Sequence, residues 1–439
     1  MKLYDHQKIA LSYMKYNKGF ALFMDMGTGK TLTALVHVSN LLSEGKINKT
    51  LVITPKAVLE SWKKEIQTVN EHFDGELNDE NIFITNYAQL NSKNYKKIKK
   101  EKWDCIILDE SHYIKNRKAK RTKKAWDLAL DAEYHYILTG TPMSNGQLHN
   151  IYSQFLFLYP DFNRGYHKSK IFGTWTNFSK KYCILNQWWQ PRAYKNISEL
   201  QDVIDEHSYR VKKEDCLDLP EKLPDKVFKI ENKNKKIYKE MLKESTVMEY
   251  EILADNSLTK LAKLRQISSG FIHNGDETIP LKNEKIKELK TFCGDFDKKL
   301  VIFASYKQSM RDIGEMLDEI GKTYVYLNGD QPDKNIWQKF QDDPKIDVII
   351  CQYQSANAGI NLHSADTMLF YEPPLSSNLL EQSRDRIHRI GQHHPCTYIF
   401  FLTEGTVEEK IYQRLLDYND FTEKVFTEYV ESYVRSYAK

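Results

Sequence analysis

Short apolar runs alternate with longer amphipathic stretches along most of the chain. In the first half they fall at 19–24, 50–54, 82–85, 103–108 and 135–139, and in the second half at 299–303, 324–327, 347–351, 367–371 and 397–401. Each run is too short for a packed helix, and most are apolar at every position rather than at alternate ones. That is the pattern of parallel strands covered on both faces. The intervening segments have helical period, so the alternation predicts two successive α/β units. From about 148 to 283 the pattern changes to polar, Lys-rich helical stretches with few strand signals. Within it, Leu219-Pro220-Glu221-Lys222-Leu223-Pro224 has the turn-prone composition of a linker. The expected division is a first unit over 1–205 with a helical protrusion from about 148, a linker and helical segment over 206–290, and a second unit over 291–439 ending in helices. No internal repeat interrupts this order.

Two of the runs end in residues that carry chemistry. After 19–24 comes Asp25-Met26-Gly27-Thr28-Gly29-Lys30-Thr31, followed by the helical Leu32-Thr33-Ala34-Leu35-Val36. A strand, a glycine loop, Lys-Thr and a helix aim backbone N–H groups and a helix N-terminus at phosphate oxygens. Gly27, Thr28 and Gly29 would form the cradle, Lys30 would reach the β- and γ-phosphates, and the Thr31 hydroxyl would ligate Mg²⁺. Met24 stands where the strict phosphate-loop pattern has glycine. The run 103–108 ends in Asp109-Glu110, at the strand end where open α/β sheets bind ligands. Asp109 is placed to hold the metal, and Glu110 to orient and deprotonate an attacking water.

Composition narrows the field without naming a partner. The 439 residues are 41% hydrophobic and 28% charged, ordinary for a folded chain of two or three domains. No apolar run approaches the ~20 residues that cross a bilayer, and the N-terminus does not resemble a signal peptide. The six cysteines are scattered without metal-ligand spacing, which fits a reducing cytoplasm. Basic residues exceed acidic ones by only four, so a nucleic-acid surface would have to come from local clusters. The run Lys96-Lys97-Ile98-Lys99-Lys100 reads more readily as a solvated helix face than as such a surface.

The second unit has no phosphate loop but carries Gln382-Ser383-Arg384-Asp385-Arg386-Ile387-His388-Arg389-Ile390-Gly391-Gln392. On a helix, Gln382, Arg386 and Arg389 would share one face. The planar, permanently charged guanidinium groups of Arg386 and Arg389 suit a transferring phosphoryl group, and the segment fits equally a solvated basic helix paired with Glu381 and Asp385.

With these segments in order, the chain resembles the Snf-type (Swi/Snf-related) DNA translocases of helicase superfamily two, from Tyr4 to about Asp417. Leu3-Tyr4-Asp5-His6-Gln7 is similar to the motif whose glutamine reads adenine, which falls on Gln7. Leu51-Val52-Ile53-Thr54-Pro55 with Trp62-Lys63-Lys64-Glu65 resembles a DNA-facing motif, and Asp109–Asn116 and Leu138-Thr139-Gly140-Thr141-Pro142 resemble the next two. Arg210–Asp215 with Leu219-Pro220, Leu264–Ser269, Gly359-Ile360-Asn361-Leu362, Arg386–Gln392 and Gly405–Ile411 continue the series. Ala356 and Asn357 depart from the family's paired glycines.

The resemblance implies two RecA-like parallel-sheet lobes with helical insertions and a C-terminal brace. It implies an ATP hydrolase using Mg²⁺ and stepping along double-stranded DNA without separating strands. Gln7 and Gly359 would join the nucleotide site, Arg386 and Arg389 would act as fingers, and Thr139, Thr141 and Gln382 would couple nucleotide to DNA. Lys56, Trp62, Lys63 and Tyr306 are the candidate DNA contacts. No further module is recognisable, and Lys-, Asn-, Ile- and Tyr-rich usage suggests a bacterial or viral source. The expected setting is the cytoplasm, or a host's cytoplasm, with a monomer favoured. Two other classes remain open: a helicase unwinding DNA or RNA, and an ATP-switched loader of another DNA-processing protein.

Overall fold

The computed structural model describes residues 1–143, 147–163, 166–331, 333, 335–356, 360–417 and 425–431. The chain divides into two compact units, Met1–Asp218 and Leu219–Lys439.

The first unit is built on a parallel sheet of β1 (Gly19–Met24), β2 (Thr50–Thr54), β3 (Ile82–Asn86), β4 (Cys105–Asp109), β5 (Tyr134–Leu138) and β6 (Ser208–Val211). Their order across the sheet is β6-β1-β5-β4-β2-β3. Strands β1, β2, β4 and β5 are buried at every position, which explains their largely apolar sequences. Side chains alternate between the two faces. Ala21, Phe23, Leu51, Ile53, Ile106 and Leu108 enter one core, while Phe20, Leu22, Met24, Val52 and Ile107 enter the other. Helices α1 (Asp5–Tyr16), α2 (Lys30–Ser43) and α3 (Leu59–His72) contribute Ala10, Leu35, Trp62 and Val69 to that second core. Because the strands are parallel, the segments after β1, β4 and β5 leave from one edge of the sheet, and the candidate site lies there.

The second unit repeats the architecture with β7 (Lys226–Ile230), β8 (Leu300–Ala304), β9 (Tyr324–Leu327), β10 (Val348–Gln352), β11 (Thr367–Phe370) and β12 (Thr397–Thr403). The parallel order is β7-β12-β11-β8-β10-β9. Around it lie α4 (Ser257–Ser268), α5 (Glu284–Gly294), α6 (Ser377–Arg384) and α7 (Val407–Leu416). Lys285 of α5 and Glu408 of α7 form a buried ion pair at 2.7 Å, and Lys285 also donates to the Tyr371 carbonyl at 2.8 Å. Arg265 of α4 donates to Ser305 Oγ at 3.0 Å and to the Pro373 carbonyl at 2.7 Å, tying two loops of the sheet together.

All ten apolar runs are strands, but the units are bounded differently from the expectation. Residues 206–290 do not stand apart: β6 pairs with β1 in the first sheet, and β7 pairs with β12 in the second. The units meet between Asp218 and Leu219, at the start of the proline-rich turn. Strands β6 and β7 lie at sheet edges and are partly exposed, so their sequences lack the apolar run of a central strand. The stretch read as helical also contains the hairpins Pro160–Asn163 with Tyr166–Ser169, Cys183–Leu185 with Pro191–Tyr194, and Phe271–Asn274 with Glu277–Pro280. These strands are too short and polar to impose a period of two. Among the described residues no helix is long and apolar enough to cross a membrane.

Candidate nucleotide site and its flanking surfaces

The loop after β1 is shaped by glycines and clamped from two sides. Gly27 and Gly29 both hold φ at +82°, a left-handed conformation that side chains rarely adopt. A Cβ on Gly29 would also collide with the side-chain amide nitrogen of Gln7. Gln7 Oε1 accepts the Tyr4 N–H at 2.9 Å, which turns the amide nitrogen toward the loop, and His6 Nε2 lies 2.8 Å from the Thr28 carbonyl. The start of α1 therefore sits against the loop. Thr28 is buried and donates to the Asp25 carbonyl at 2.7 Å. The buried Lys30 ammonium bridges the Met24 and Asp25 carbonyls at 2.7 and 3.0 Å. Thr31 is half-buried in the first turn of α2.

On the opposite side, β6 holds the same loop. The Asp25 N–H donates to the Val211 carbonyl at 3.0 Å, and Asp25 Oδ2 accepts the Lys213 N–H at 3.0 Å. The Lys213 side chain is buried and passes beside Gly27, its Cε 3.5 Å from where a Cβ would stand. Lys213 thus places a second lysine at the phosphate loop. Nothing in its local sequence marks it for that role.

The carboxylates at the end of β4 have distinct surroundings. Asp109 Oδ2 accepts from Thr54 Oγ1 and from the Trp62 indole N–H, both at 2.8 Å. Both donors fall on one oxygen, and among the described residues none donates to Oδ1. Burial raises the Asp109 carboxyl above its usual value, the Glu110 charge raises it further, and the two donors and Lys30 only partly offset this. A carboxylate so placed is suited to a cation. Glu110 follows in a left-handed conformation, φ +51°, and its Oε2 lies 3.2 Å from His112 Nδ1 and accepts from Thr139 Oγ1 at 3.4 Å. Burial works to raise Glu110 as well, but His112, Lys30 and Thr139 outweigh it and hold the group below its ordinary value. Thr139 Oγ1 in turn accepts the Thr141 N–H at 3.1 Å. Gln154 joins the two segments, since its Oε1 accepts from Ser111 Oγ at 2.6 Å and its Nε2 donates to the Pro142 carbonyl at 2.7 Å.

In the second unit, Arg386 is buried and Arg389 half-buried, with Arg389 Nη1 donating to the Ile360 carbonyl at 2.8 Å. Gln382 lies on α6, its Nε2 3.5 Å from Asn378 Oδ1. Gly359 and Asn357 fall outside the described residues, as does the side chain of Ala356.

Comparison with known proteins places this architecture. Residues 4–270 match the SNF2-related domain, and residues 282–391 match the helicase conserved C-terminal domain. The chain belongs to the SNF2-related family. It is 28% identical to a putative ATP-dependent helicase/translocase, YwqA, of Bacillus subtilis (strain 168), over 91% of this chain and 47% of that protein. It is 23% identical to the DNA annealing helicase and endonuclease ZRANB3 of Mus musculus, over 94% of this chain and 40% of that protein. This SNF2-related chain therefore spans about half or less of either relative. A solved Sulfolobus solfataricus SWI2/SNF2 ATPase core in complex with dsDNA aligns with 98% of the chain and 93% of its own length, at 24% identity and a TM-score of 0.45.

Three expectations for the SNF2-related chain change in the structure. Trp62 is buried with its N–H committed to Asp109, so it supports the carboxylate site and offers no surface to DNA. Its neighbours Lys56 and Lys63 are exposed, with Lys63 paired to Glu60 at 2.9 Å. Tyr306 is turned into the packing: the Arg265 guanidinium lies 5.6 Å from its ring centre, the Phe271 ring meets it edge-on, and its hydroxyl lies 3.4 Å from the Ala262 carbonyl. Finally, Gln382, Arg386 and Arg389 do not share a helix face, because α6 ends at Arg384. Past its end the Arg386 and Ile387 N–H groups donate three residues back, to the Ser383 and Arg384 carbonyls, and the Arg386 carbonyl accepts the Leu362 N–H at 2.9 Å. The run Lys96–Lys100 is, as its pattern suggests, a short helix burying Ile98 and exposing its lysines.

Proposed function

We propose that the chain is a DNA-stimulated ATPase that translocates on double-stranded DNA without separating the strands. The observation that carries the hydrolytic part is the placement of Glu110. A left-handed turn sets its carboxylate against His112 and Thr139, directly after the cation-suited Asp109 and on the sheet edge that carries the Lys30 loop. The DNA part is supported by family membership and by the helicase, translocase and DNA-annealing activities of the relatives named above.

In this reading the substrate is ATP, with Gln7 at the adenine and Gly27, Thr28, Gly29, Lys30 and Lys213 around the phosphates. Thr31 and Asp109 would hold Mg²⁺, which when bound neutralises charge on the β- and γ-phosphates. Lys30 exchanges its two loop carbonyls for phosphate oxygens. Glu110 accepts a proton as the water oxygen bonds to the γ-phosphorus and the bond to the bridging oxygen breaks, leaving ADP and phosphate. Thr139 and Thr141 bind this step to the segment after β5, and Gln382 serves the same coupling in the second unit. Closure of the units brings Arg386 and Arg389 to the transferring phosphoryl group, and Lys56 and Lys63 contact DNA phosphates.

Phosphate release measured with and without linear duplex DNA tests this. Duplex should stimulate turnover, and the stimulation should fall steeply with salt as the DNA-binding constant falls with a log–log slope of about 0.9 per phosphate contact. Arg389→Ala should leave ATP binding nearly intact and slow hydrolysis by roughly 10³- to 10⁵-fold. Glu110→Gln should bind ATP and not turn it over. Equal turnover with duplex, single strand and no DNA would overturn the translocase reading, and strand displacement would replace it with a helicase.

A further inference from the structure

The hairpin Cys183–Leu185 with Pro191–Tyr194 ends in a feature that the nucleotide site does not use. Trp188 and Trp189 at its tip are 73% and 80% exposed, whereas Trp62, Trp103 and Trp126 are buried and Trp175 and Trp337 half-buried. Exposing two adjacent indoles leaves a large apolar area in water, an arrangement that marks binding surfaces. The tip is held in place. Asn186 Oδ1 accepts the N–H groups of Trp188 and Gln190 at 2.9 and 3.0 Å, and the Asn186 N–H donates to the Gln190 carbonyl at 2.9 Å. Trp189 is kept at φ +57°, a conformation that costs a bulky residue energy and persists only where its surroundings impose it. The base of the hairpin is anchored by buried Cys183 and by Tyr194, whose hydroxyl lies 2.6 Å from His149 Nδ1.

The charge along the hairpin and at its base selects the occupant. From Lys180 to Asn196 there is no acidic residue. Lys180, Arg192 and Lys195 are exposed, and no carboxylate among the described residues pairs with them. Flat aromatic faces among unpaired cations are the surface that binds single-stranded nucleic acid, through backbone charge and base stacking. Bases inside a duplex already stack on one another, so only unpaired bases can take up the indoles. We propose that this hairpin binds unpaired bases of DNA, at a single-stranded tail, gap or fork beside the duplex. The inference rests on the reading of the chain as a DNA-acting enzyme, and gives that enzyme a means of choosing where on DNA it engages.

Tryptophan emission of the full chain, without nucleotide, is titrated with a blunt duplex, the same duplex carrying an oligo-dT tail, and oligo-dT alone. The tailed duplex should quench emission and bind about tenfold or more tighter than the blunt one, the range expected from stacking one or two bases. Trp188→Ala with Trp189→Ala should abolish both the quenching and the preference, while the unfolding midpoint and blunt-duplex-stimulated ATP turnover stay unchanged. Trp188→Phe with Trp189→Phe should retain part of the preference. Equal binding of tailed and blunt duplex by the wild type, or an undiminished preference in the alanine variant, overturns the inference; the latter would leave the tip as a docking point for a protein. Turnover unstimulated by duplex, alongside intact tail preference, would sink the translocase reading alone.

Discussion

The indole N–H of Trp62 donates to Oδ2 of Asp109 over 2.8 Å. This bond joins α3, with the exposed Lys63 and Lys64 beside the indole, to the carboxylate best placed for a cation. Thr54 supplies a second bond to the same oxygen, so the orientation of Asp109 is set by two fixed donors.

Trp62→Phe keeps most of the buried ring and removes only the donor. Partners of this kind, one shell out from a metal, are worth about 10- to 100-fold in metal affinity. The Mg²⁺ concentration needed for half-maximal nucleotide binding should rise within that range, with a small change in unfolding midpoint. An unaltered Mg²⁺ dependence would reduce Trp62 to packing.

His112 lowers the Glu110 carboxyl against the upward pull of burial. His112→Ala removes that support from the charged form, so the Glu110 pKa should rise. A base is lost as pH falls through its pKa, so the acid limb of the turnover profile should move to higher pH. A pH–rate profile of the variant checks this, and a limb that stays in place or moves toward acid contradicts it.

Gly29→Ala meets two separate obstacles, the +82° backbone and the Gln7 amide. Calorimetric titration should show nucleotide binding lost in Gly29→Ala, and the double variant with Gln7→Ala should still bind more weakly than Gln7→Ala alone. Removing Gln7 clears the collision but not the backbone cost of roughly 1–2 kcal/mol. A double variant that binds as well as Gln7→Ala alone would assign the whole defect to the collision.

Lys285 and Glu408 are each almost wholly buried, so removing one strands the other. Lys285→Met should destabilise the second unit by roughly 3–5 kcal/mol, and adding Glu408→Leu should recover much of that. Denaturant unfolding of the four proteins in the cycle measures the coupling. A double variant no more stable than Lys285→Met would show that the pair's other hydrogen bonds, to Tyr371 and Thr403, matter more.

The central strands and the phosphate loop were legible because their requirements are local. Burial on both faces demands an apolar run, and the loop demands glycine before Lys-Thr. Trp62 reads as a DNA contact from its place in a DNA-facing motif, although its spacing to Ile66 and Val69 puts it on the buried side of a helix. Arg386 and Arg389 lie past the end of α6, where the Arg386 N–H turns back to the Ser383 carbonyl and the Arg386 carbonyl is engaged by Leu362, a contact from a distant segment that no local pattern contains. Lys213 is likewise brought to the phosphate loop only by the pairing of β6 with β1.

That pairing has a mechanical meaning. Asp25 is bonded through its N–H to Val211 and through its carboxylate to the backbone of Lys213, and the chain leaves the first unit at Asp218. Any rearrangement of the phosphate loop at Asp25 must therefore break these bonds or carry the end of β6 with it.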